Sequence, residues 1–285
     1  MSINGMDVGV FIFATDYTIR MDELARELES RGYESLFLPE HTHIPTSRKT
    51  PWDGGGGDLP RDYWHTHDPF VALSYAAAAT SKLKVGTGIC LLPQRETFVT
   101  AKSVASLDMM SGGRFILGLG GGWNVEEMND HGVEYKTRFK LMRERVLAMK
   151  RLWTEDEGSF RGEMISFDSA WAWPKPVQKP HPPILLGGES DYTLNRVVEY
   201  CDGWFPRVRP GFDPLEGMNR LRQAAVKAGR DPASLSLSLF RAKPDRAELE
   251  AYAEARVSRA VLQLWSTDRD DVIRQLDAYA PLLAT

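Results

Sequence analysis

Short apolar runs alternate with amphipathic segments along the whole chain. Eight runs have the length and the β-branched or aromatic content of buried strands; they are 7–14, 33–40, 82–92, 114–120, 183–188, 203–207, 235–240 and 259–265. Apolar residues at helical spacing follow each run and predict helices at 21–32, 69–80, 98–111, 138–153, 191–201, 215–229, 246–255 and 269–283. Eight strand–helix units without a break predict one α/β domain over 1–285, a (β/α)₈ TIM barrel. A doubly wound open sheet is the main structural alternative.

Two segments are longer than ordinary connections between such elements. Residues 41–67 follow the second predicted strand and include four consecutive glycines, and residues 155–182 precede the fifth predicted strand. A connection that long in a compact domain is usually a lid or a binding loop, so we interpret 41–67 as a lid. Within the insertion 155–182, "FRGEMISFDSAW" predicts a short hairpin, and the proline-rich end predicts an extended return to the barrel.

Composition and charge exclude several classes of partner. The chain has 285 residues, is 42% hydrophobic and carries a net charge of −4, so nothing favours nucleic acid or an anionic membrane. The N-terminal sequence lacks the basic flank and cleavage site of a signal peptide, and its apolar run is too short to span a bilayer. Cys90 and Cys201 fall in or beside predicted strands. We expect buried free thiols and a cytoplasmic location.

The stretch "RFILGLGGGWNVEE", residues 114–127, carries three consecutive glycines at the end of a predicted strand. It is not a dinucleotide fingerprint, because Trp123 occupies the position of the third glycine counted from Gly118. Gly120, Gly121 and Gly122 could instead let a planar cofactor approach the backbone without interference from a Cβ atom. A tight turn that needs positive φ is the alternative.

A second glycine pair, Gly187 and Gly188, precedes Glu189 and Ser190 at the start of a predicted helix. Backbone N–H groups at a helix N-terminus favour an anion, which makes this a candidate phosphate seat. The alternative is an ordinary N-cap at Ser190 with no ligand. Arg207, at the end of the sixth strand, could add positive charge or could be a solvated surface residue. The many glycines and aromatic residues at strand ends suit a flat, mostly apolar ring system.

The histidines suggest a different chemistry. His41 and His43, and then His65 and His67, bracket the predicted lid, and H-x-H at a barrel strand end is typical of metal-dependent amidohydrolases. Such sites also need histidines from strands five and six, which here end in "LLGGE" and "WFPR". We therefore predict no metal site and interpret His41 as a hydrogen-bond or proton donor.

Several stretches in combination resemble the luciferase-like monooxygenase and flavin-dependent oxidoreductase superfamily, particularly its branch that uses the deazaflavin coenzyme F420. They are "ARELESRGYESLFLPEH", "KLKVGTGICLLPQRETFVTAKSVASLDMMSGGRFILGLGGGWNVEEM", "RFKLMRERVLAMKRLW", "KPVQKPHPPILLGGES" and "DGWFPR". The resemblance covers about the first two thirds of the chain. It implies a (β/α)₈ barrel with an insertion before strand five and a cofactor across the C-terminal mouth. It also implies a non-proline cis peptide bond at Gly88–Ile89 beneath the ring.

The resemblance assigns roles to individual residues. Glu40 and His41 match an acidic–His pair in sugar-phosphate-oxidising deazaflavin enzymes, where the acid helps to hold the cofactor and the histidine assists hydride transfer. Those enzymes carry a glutamate proton donor where this chain has Trp123, and no cationic cluster for a substrate phosphate is evident. We therefore expect a neutral or hydrophobic organic substrate. The residues expected to bind the cofactor are Glu40, Gly88, Ile89, Gly120, Gly121, Gly122, Trp123, Gly187, Gly188, Glu189 and Arg207, and His41 is expected to be catalytic.

Our preferred hypothesis is hydride transfer between F420 and a small organic molecule. The main alternative is an FMN-dependent monooxygenase whose reduced flavin comes from a partner reductase. For the F420-dependent reaction, the corresponding partner would be an F420 reductase. A metal-dependent hydrolase and a non-catalytic flavin-binding barrel are further alternatives. Apolar helix faces such as "SLDMM", together with the resemblance, lead us to expect a homodimer.

Overall fold

A computed structural model describes residues 2–52 and 58–283. Its strands are β1 Ser2–Ile3, β2 Met6–Phe11, β3 Ser35–Leu38, β4 Lys84–Thr87, β5 Phe115–Leu119, β6 Gly158–Arg161, β7 Ser166–Ala170, β8 Ile184–Gly187, β9 Gly203–Phe205, β10 Ser236–Ala242 and β11 Arg259–Gln263. Within the described residues, β2–β5 and β8–β11 form a parallel sheet, and β2 pairs with both β3 and β11. The sheet is therefore closed. The predicted (β/α)₈ barrel is confirmed, and the open-sheet alternative is wrong.

The helices follow the predicted pattern closely. They are α1 Met21–Ser30, α2 Asp62–His65, α3 Pro69–Ala78, α4 Thr97–Met110, α5 Val125–Asp130, α6 Arg138–Thr154, α7 Asp191–Tyr200, α8 Pro214–Lys227, α9 Arg246–Glu254 and α10 Arg269–Leu283. Asp68, Ser190, Asp213 and Asp245 each accept a hydrogen bond from a backbone N–H of the first turn, which fixes where four of these helices begin. The helices predicted between the barrel strands are confirmed. The four-residue helix α2, within 41–67, is too short to produce a periodic signal.

The predicted hairpin in the insertion is also confirmed. Strands β6 and β7 pair antiparallel, and the carboxylate of Glu144 in α6 accepts hydrogen bonds from the backbone N–H groups of Glu163, Met164 and Ile165 at 3.1, 2.8 and 2.9 Å. Phe167 in β7 contacts Phe98 in α4, with ring centroids 5.0 Å apart. These contacts hold the hairpin against the outer helices rather than over the barrel mouth.

Aromatic rings fill the interior of the barrel. The rings of Phe11 and Phe240 stack with centroids 4.0 Å apart, and Phe205 lies 5.3 Å from Phe240 and 5.2 Å from Phe37. Ile89 and Phe240 are the partly buried members that pack on top of this cluster. Because the interior is packed, a ligand can bind only above this layer, at the C-terminal ends of the strands.

A buried ion pair closes the opposite end of the barrel. Arg259, at the start of β11, donates to Glu34 through Nε and Nη2 at 2.7 and 2.5 Å, and both side chains are about 10% exposed. Burial favours the protonated acid, but the hydrogen bonds and charge of Arg259 outweigh it and lower the pKa of Glu34 to about 2. The pair therefore stays ionised inside the protein.

Both cysteines are free and fully buried, as predicted, and burial raises the pKa of the Cys90 and Cys201 thiols. No helix in the described ranges is long and apolar enough to cross a bilayer.

Candidate active site at the barrel mouth

The tips of β4, β5 and β8 meet around one side chain, that of Ile89. A Cβ atom added to Gly120 would lie 1.7 Å from Cδ1 of Ile89, and one added to Gly187 would lie 3.6 Å from its Cγ2. The Gly88–Ile89 peptide bond is cis, which confirms the geometry expected from the resemblance. Ile89 remains partly exposed. Together these residues form a small apolar surface that we call the floor: Gly88, Ile89, Gly120 and Gly187.

The glycine triplet serves the protein's own packing. A Cβ atom on Gly121 would lie 2.5 Å from Cε1 of Phe139, and one on Gly122 would lie 2.6 Å from Cε of Met128. Side chains of the chain itself fill the positions that these glycines leave free, so the interpretation that the missing Cβ atoms make room for a planar cofactor is wrong. The turn alternative is correct at Gly122, whose φ is 74°. Backbone contact between this segment and a cofactor stays a prediction.

His41 is buried beside the floor and is paired with a buried carboxylate. Its Nδ1 atom lies 2.8 Å from Oε2 of Glu127, which is fully buried. On the other side of the ring, the indole N–H of Trp123 donates to Nε2 at 3.4 Å. Because Nε2 accepts a hydrogen bond, the proton of the neutral ring is assigned to Nδ1, where Glu127 accepts it. The lone pair of Nε2 then faces Trp123.

The role of Glu127 could not be predicted from its place in the sequence. Asn124 caps α5 and accepts a hydrogen bond from the backbone N–H of Glu127 at 3.4 Å. The spacing N-x-x-E is that of a capping box, in which the glutamate turns back to its own N-cap. Here the side chain of Glu127 crosses to His41 and to the backbone N–H of Thr42, at 3.3 Å. Only the tertiary structure distinguishes the two uses.

The neighbouring Glu126 holds the start of the 41–67 segment. Its carboxylate accepts from Oγ1 of Thr50 at 2.6 Å and from the backbone N–H groups of Lys49 and Thr50 at 2.8 and 3.2 Å. These hydrogen bonds, that of the Thr50 hydroxyl first, lower the pKa of Glu126 to about 2. Two consecutive glutamates of α5 therefore hold this segment and His41. The four glycines of the segment, 54–57, lie outside the described residues.

Tyr63 in α2 lies over His41 and connects the aromatic residues of the mouth. Its ring centroid is 5.1 Å from His41, 4.8 Å from Phe13, 5.9 Å from Trp52 and 6.3 Å from Trp123. The indole N–H of Trp52 donates to its hydroxyl at 3.1 Å. The 41–67 segment thus covers His41 with apolar rings, while its closure over a substrate stays a prediction.

The side chain of Glu40 points into the protein, toward hydrogen-bond donors of the chain itself. Its carboxylate accepts from the backbone N–H of Leu91 at 2.7 Å and from Nε of Arg95 at 2.5 Å, and Arg95 also pairs with Asp68. Glu40 is 3% exposed. This geometry holds the loop after β4 beneath the mouth, and Arg95 is a partner that sequence reasoning missed. The predicted contact between Glu40 and a cofactor stays a prediction.

The second glycine pair leads into α7. Gly188 has a φ of 111°, and the hydroxyl of Ser190 accepts from the backbone N–H of Thr193 at 3.3 Å as an N-cap. Arg207 donates through its backbone N–H and its Nε to Glu189, at 3.3 Å each, and Arg209 pairs with the same carboxylate at 3.4 Å. The structure thus brings Arg207 to the predicted phosphate seat, where Glu189 offsets part of its charge.

Two further arginines, which sequence reasoning missed, pack on Phe139. The guanidinium groups of Arg138 and Arg196 lie 4.3 and 3.9 Å from the ring centroid of Phe139, the side chain that packs on Gly121. Burial lowers the pKa of Arg138, and the like charge of Arg196 adds to that effect. Neither arginine forms an ion pair with a described carboxylate. Two neighbouring guanidinium groups without acidic partners form a site suited to an anion.

Residues 6–282 match the sequence model of the family described as luciferase-like monooxygenase. The chain belongs to the luciferase-like monooxygenase family. Over 284 residues, this luciferase-like chain is 36% identical to Rv0953c, an uncharacterized protein of Mycobacterium tuberculosis, with 98% of this chain and 99% of the relative covered.

Other relatives of this luciferase-like chain carry names that specify a cofactor. An FMNH(2)-dependent dimethylsulfone monooxygenase of Pseudomonas putida is 34% identical over 56% of this chain and 46% of its own length. An F420-dependent hydroxymycolic acid dehydrogenase of Mycobacterium tuberculosis is 25% identical over 80% of this chain and 60% of its own length. The family thus includes both F420-dependent and FMN-dependent proteins.

Solved structures agree with the luciferase-like fold. The monooxygenase RslO1 from Streptomyces bottropensis superposes with a TM-score of 0.78 at 19% identity, covering 98% of both chains. The F420-dependent tetrahydromethanopterin reductase from Methanopyrus kandleri gives a TM-score of 0.71 at 15% identity, covering 98% of this chain and 97% of its own. At these identities the likeness concerns the fold.

The remaining histidines of the luciferase-like mouth have protein partners. His43 lies 3.1 Å from Asp130, His65 lies 2.8 Å from Asp16, and Nε2 of His131 lies 2.7 Å from the hydroxyl of Thr42. Within residues 2–52 and 58–283, no group of three or more His, Cys, Asp or Glu side chains could hold a metal ion. His41, His43 and His65 of the H-x-H pairs thus use their side chains in hydrogen bonds to other segments, and His67 donates its backbone N–H to the carbonyl of Ala14 at 2.7 Å.

Proposed function

We propose that this luciferase-like protein is an oxidoreductase that transfers a hydride between coenzyme F420 and a small organic substrate. The observation that carries the proposal is His41, whose Nδ1 is held by the buried Glu127 and whose Nε2 accepts a hydrogen bond at the mouth, beside the floor. When bound, a deazaflavin supplies or accepts the hydride at its C5. A relative named as an F420-dependent dehydrogenase supports this assignment.

The residues at the mouth fit such a cofactor. Ile89 and the glycines around it offer an apolar platform for a tricyclic ring. For the phosphate, the backbone after Gly188 leads into the N-terminus of α7, and Arg138 and Arg196 have no described acidic partner. Arg207 lies at the same seat. The cofactor would thus be held by van der Waals contact at one end and by charge at the other.

His41 handles the proton that accompanies the hydride. Its Nε2 has one lone pair, which accepts the N–H of Trp123 in this structure. Once the Trp123 indole turns away from it, this lone pair would take the hydroxyl proton of an alcohol. The carboxylate of Glu127 then stabilises the imidazolium that forms, and in the reverse direction the same pair returns the proton to a carbonyl oxygen. An indole N–H is not an acid, so Trp123 does not replace the glutamate proton donor of the sugar-phosphate enzymes.

A monooxygenase that uses reduced FMN is the second candidate, supported by the relative named as an FMNH(2)-dependent monooxygenase. Such an enzyme needs a partner reductase, and buried free thiols agree with the reducing cytoplasm in which that partner would work. One experiment distinguishes the two reactions. We expect an alcohol to reduce F420 without oxygen, which is measured as a loss of F420 absorbance. Oxygen consumption with reduced FMN, and no F420 reduction by any alcohol tested, would favour the monooxygenase.

The close packing of Gly120 on Ile89 predicts how a substitution at Gly120 changes the affinity for the cofactor. A Gly120→Ala substitution places a methyl group 1.7 Å from Cδ1 of Ile89, so the Ile89 side chain must turn toward the mouth. We expect the protein to remain folded with at least a tenfold loss of cofactor affinity, about 1.4 kcal/mol, in a fluorescence titration. Gly187→Ala is the comparison within the floor: it also adds a methyl group there, but its nearest contact would be an ordinary 3.4 Å, so it should lose less affinity than Gly120→Ala. Equal affinity in both variants would exclude Ile89 from the cofactor site.

The expected homodimer has a candidate interface on α3 and α4. These helices expose Val71, Tyr75, Val99 and Met110 on the side away from the barrel, at 70, 48, 63 and 81%. Helices that are apolar on both sides are normally covered on both sides. The ammonium group of Lys102, on α4, donates to the backbone carbonyl of Trp173. We propose that a second copy of the chain covers this face.

Replacing Met110 with glutamate should convert this dimer to a monomer, because a charge would be buried without a partner. Light scattering after size exclusion measures the mass directly. Val226→Glu, at a residue of α8 that is 67% exposed, is the control and should leave the mass unchanged. A wild-type protein that is monomeric at micromolar concentration would rule out the proposed interface.

A further inference from the structure

Arg241 has a backbone conformation that is unusual for its position. Three described non-glycine residues have left-handed φ angles, and two of them, Asn4 and Arg256, lie in turns. Arg241, with φ of 60°, lies inside β10. In the pairing of β10 with β11, Phe240 is opposite Val261 and Ala242 is opposite Leu262, so Arg241 is the extra residue of a β-bulge.

Glycine would occupy this position with less strain, yet the chain carries a long cationic side chain there. Bulges next to functional sites redirect a side chain out of the regular alternation of a strand. The observation therefore points to a use for the guanidinium group rather than to a requirement of the fold.

The Arg241 guanidinium packs on an aromatic ring at the rim of the mouth. It lies 5.9 Å from the ring centroid of Trp265, which follows β11 and is 54% exposed. Arg241 is itself exposed and forms no ion pair with a described carboxylate, whereas Arg207 and Arg209 share Glu189. Its charge is therefore available to a ligand.

Aromatic side chains follow the strands that separate Arg241 from His41 around the barrel: β10 carries Arg241, β11 and β2 come next, and His41 follows β3. We call these side chains the apolar wall. Phe240, the residue before Arg241, packs with Ile89 on top of the barrel interior. On the next strand, Ser266, the residue after Trp265, donates to the backbone carbonyl of Phe13 at 2.8 Å, and the Phe13 ring contacts Tyr63 above His41. A molecule lying along this wall would meet aromatic rings between the histidine and the arginine.

We propose that Arg241 binds a carboxylate at the end of the substrate that lies away from His41. The substrate class is then an organic acid with an apolar or aromatic body, which carries the reacting hydroxyl or carbonyl group at its other end. A planar guanidinium forms two parallel hydrogen bonds to a carboxylate, and its single charge offsets that of a carboxylate in full but that of a phosphate only in part. Only the assignment of the reacting end rests on the proposed function. The proposal keeps the apolar body expected of the substrate and replaces the expected neutral molecule with one that carries a carboxylate.

The test measures binding and needs no turnover, so it is independent of the cofactor assignment. The probes are 4-phenylbutyrate and its uncharged amide, titrated calorimetrically into the purified protein. We expect the wild type to bind the acid at least about tenfold more tightly than the amide, as a charged hydrogen bond allows. Arg241→Gly should abolish this preference without lowering the melting temperature, because glycine relieves the strained φ.

Two variants make the result specific. Arg256→Gly relieves the same kind of backbone strain in a turn and should keep the preference for the acid. Arg241→Lys retains a charge and should keep part of the preference. An unchanged preference in Arg241→Gly, or a wild type that binds the acid and the amide equally or binds neither, would overturn the proposal.

Discussion

Replacing His41 with alanine is expected to lower kcat for F420-linked turnover by a factor of about 10² to 10⁴, the usual contribution of general acid–base catalysis. The reason is geometric, because one nitrogen of the His41 imidazole is paired with the buried carboxylate of Glu127 and the other carries a lone pair that accepts a hydrogen bond at the mouth. The dissociation constant for the cofactor, measured by fluorescence, should change by less than about threefold, since the floor and the anion seat are untouched.

Glu127 provides the internal control for this prediction. Because Glu127 acts through His41, Glu127→Gln should lower kcat less than His41→Ala, and the double variant should be no slower than His41→Ala alone. The exposed His43, two positions further on, is the matched control, and His43→Ala should retain most activity. Fully additive losses in the double variant, or wild-type activity in His41→Ala, would remove the pair from the mechanism.

The second large effect concerns stability. Arg259→Met is expected to lower the free energy of unfolding by about 1.5–3 kcal/mol, because it removes two hydrogen bonds to the buried carboxylate of Glu34 and leaves it only the ammonium group of Lys84, 2.8 Å from Oε1. Arg274→Met, which breaks an exposed pair with Asp271, should cost about 1 kcal/mol or less. Urea unfolding at pH 7 measures both. Equal losses in the two variants would contradict the importance assigned to the buried pair.

The same pair predicts how stability depends on pH. The pKa of Glu34 is lowered to about 2 in the folded protein, from its usual value of 4.5. The pair's contribution is therefore fully present above about pH 4.5, the unfolded value, and is lost as the pH falls toward 2. In the double variant that combines Glu34→Gln with Arg259→Met, the urea concentration at the midpoint of unfolding should fall less steeply between pH 5 and 3 than in the wild type. The same dependence on pH in both proteins would contradict the lowered pKa of Glu34.

The barrel was predictable from the sequence because its signal repeats. Each unit combines an apolar run of strand length with an amphipathic helix, and helix starts such as Ser190 and Asp213 carry their own caps. The hairpin in the insertion was predictable for the same reason, since its two short strands are adjacent in sequence. Local patterns of this kind survive folding because the tertiary contacts reinforce them.

The site was only partly predictable because its pairs join distant units. His41 was found from its place at a strand end, but Glu127 looks like part of a helix cap until the fold brings it to the imidazole. Arg138 and Arg196 belong to different helices and meet only through Phe139. Gly120 and Gly121 were correctly placed at the mouth and were given the wrong reason, because the side chains that fill the space beside them come from other units.

The measurement that most directly tests the account is a titration of the pure protein with F420 and with FMN, reading fluorescence quenching for each. We expect saturable binding of F420, tighter than that of FMN, because the floor accepts either ring while the arginines beside Phe139 add to the binding of a more anionic cofactor. Arg196→Met should weaken F420 binding more than FMN binding. Saturable binding of FMN with none of F420, or binding of neither, would contradict it.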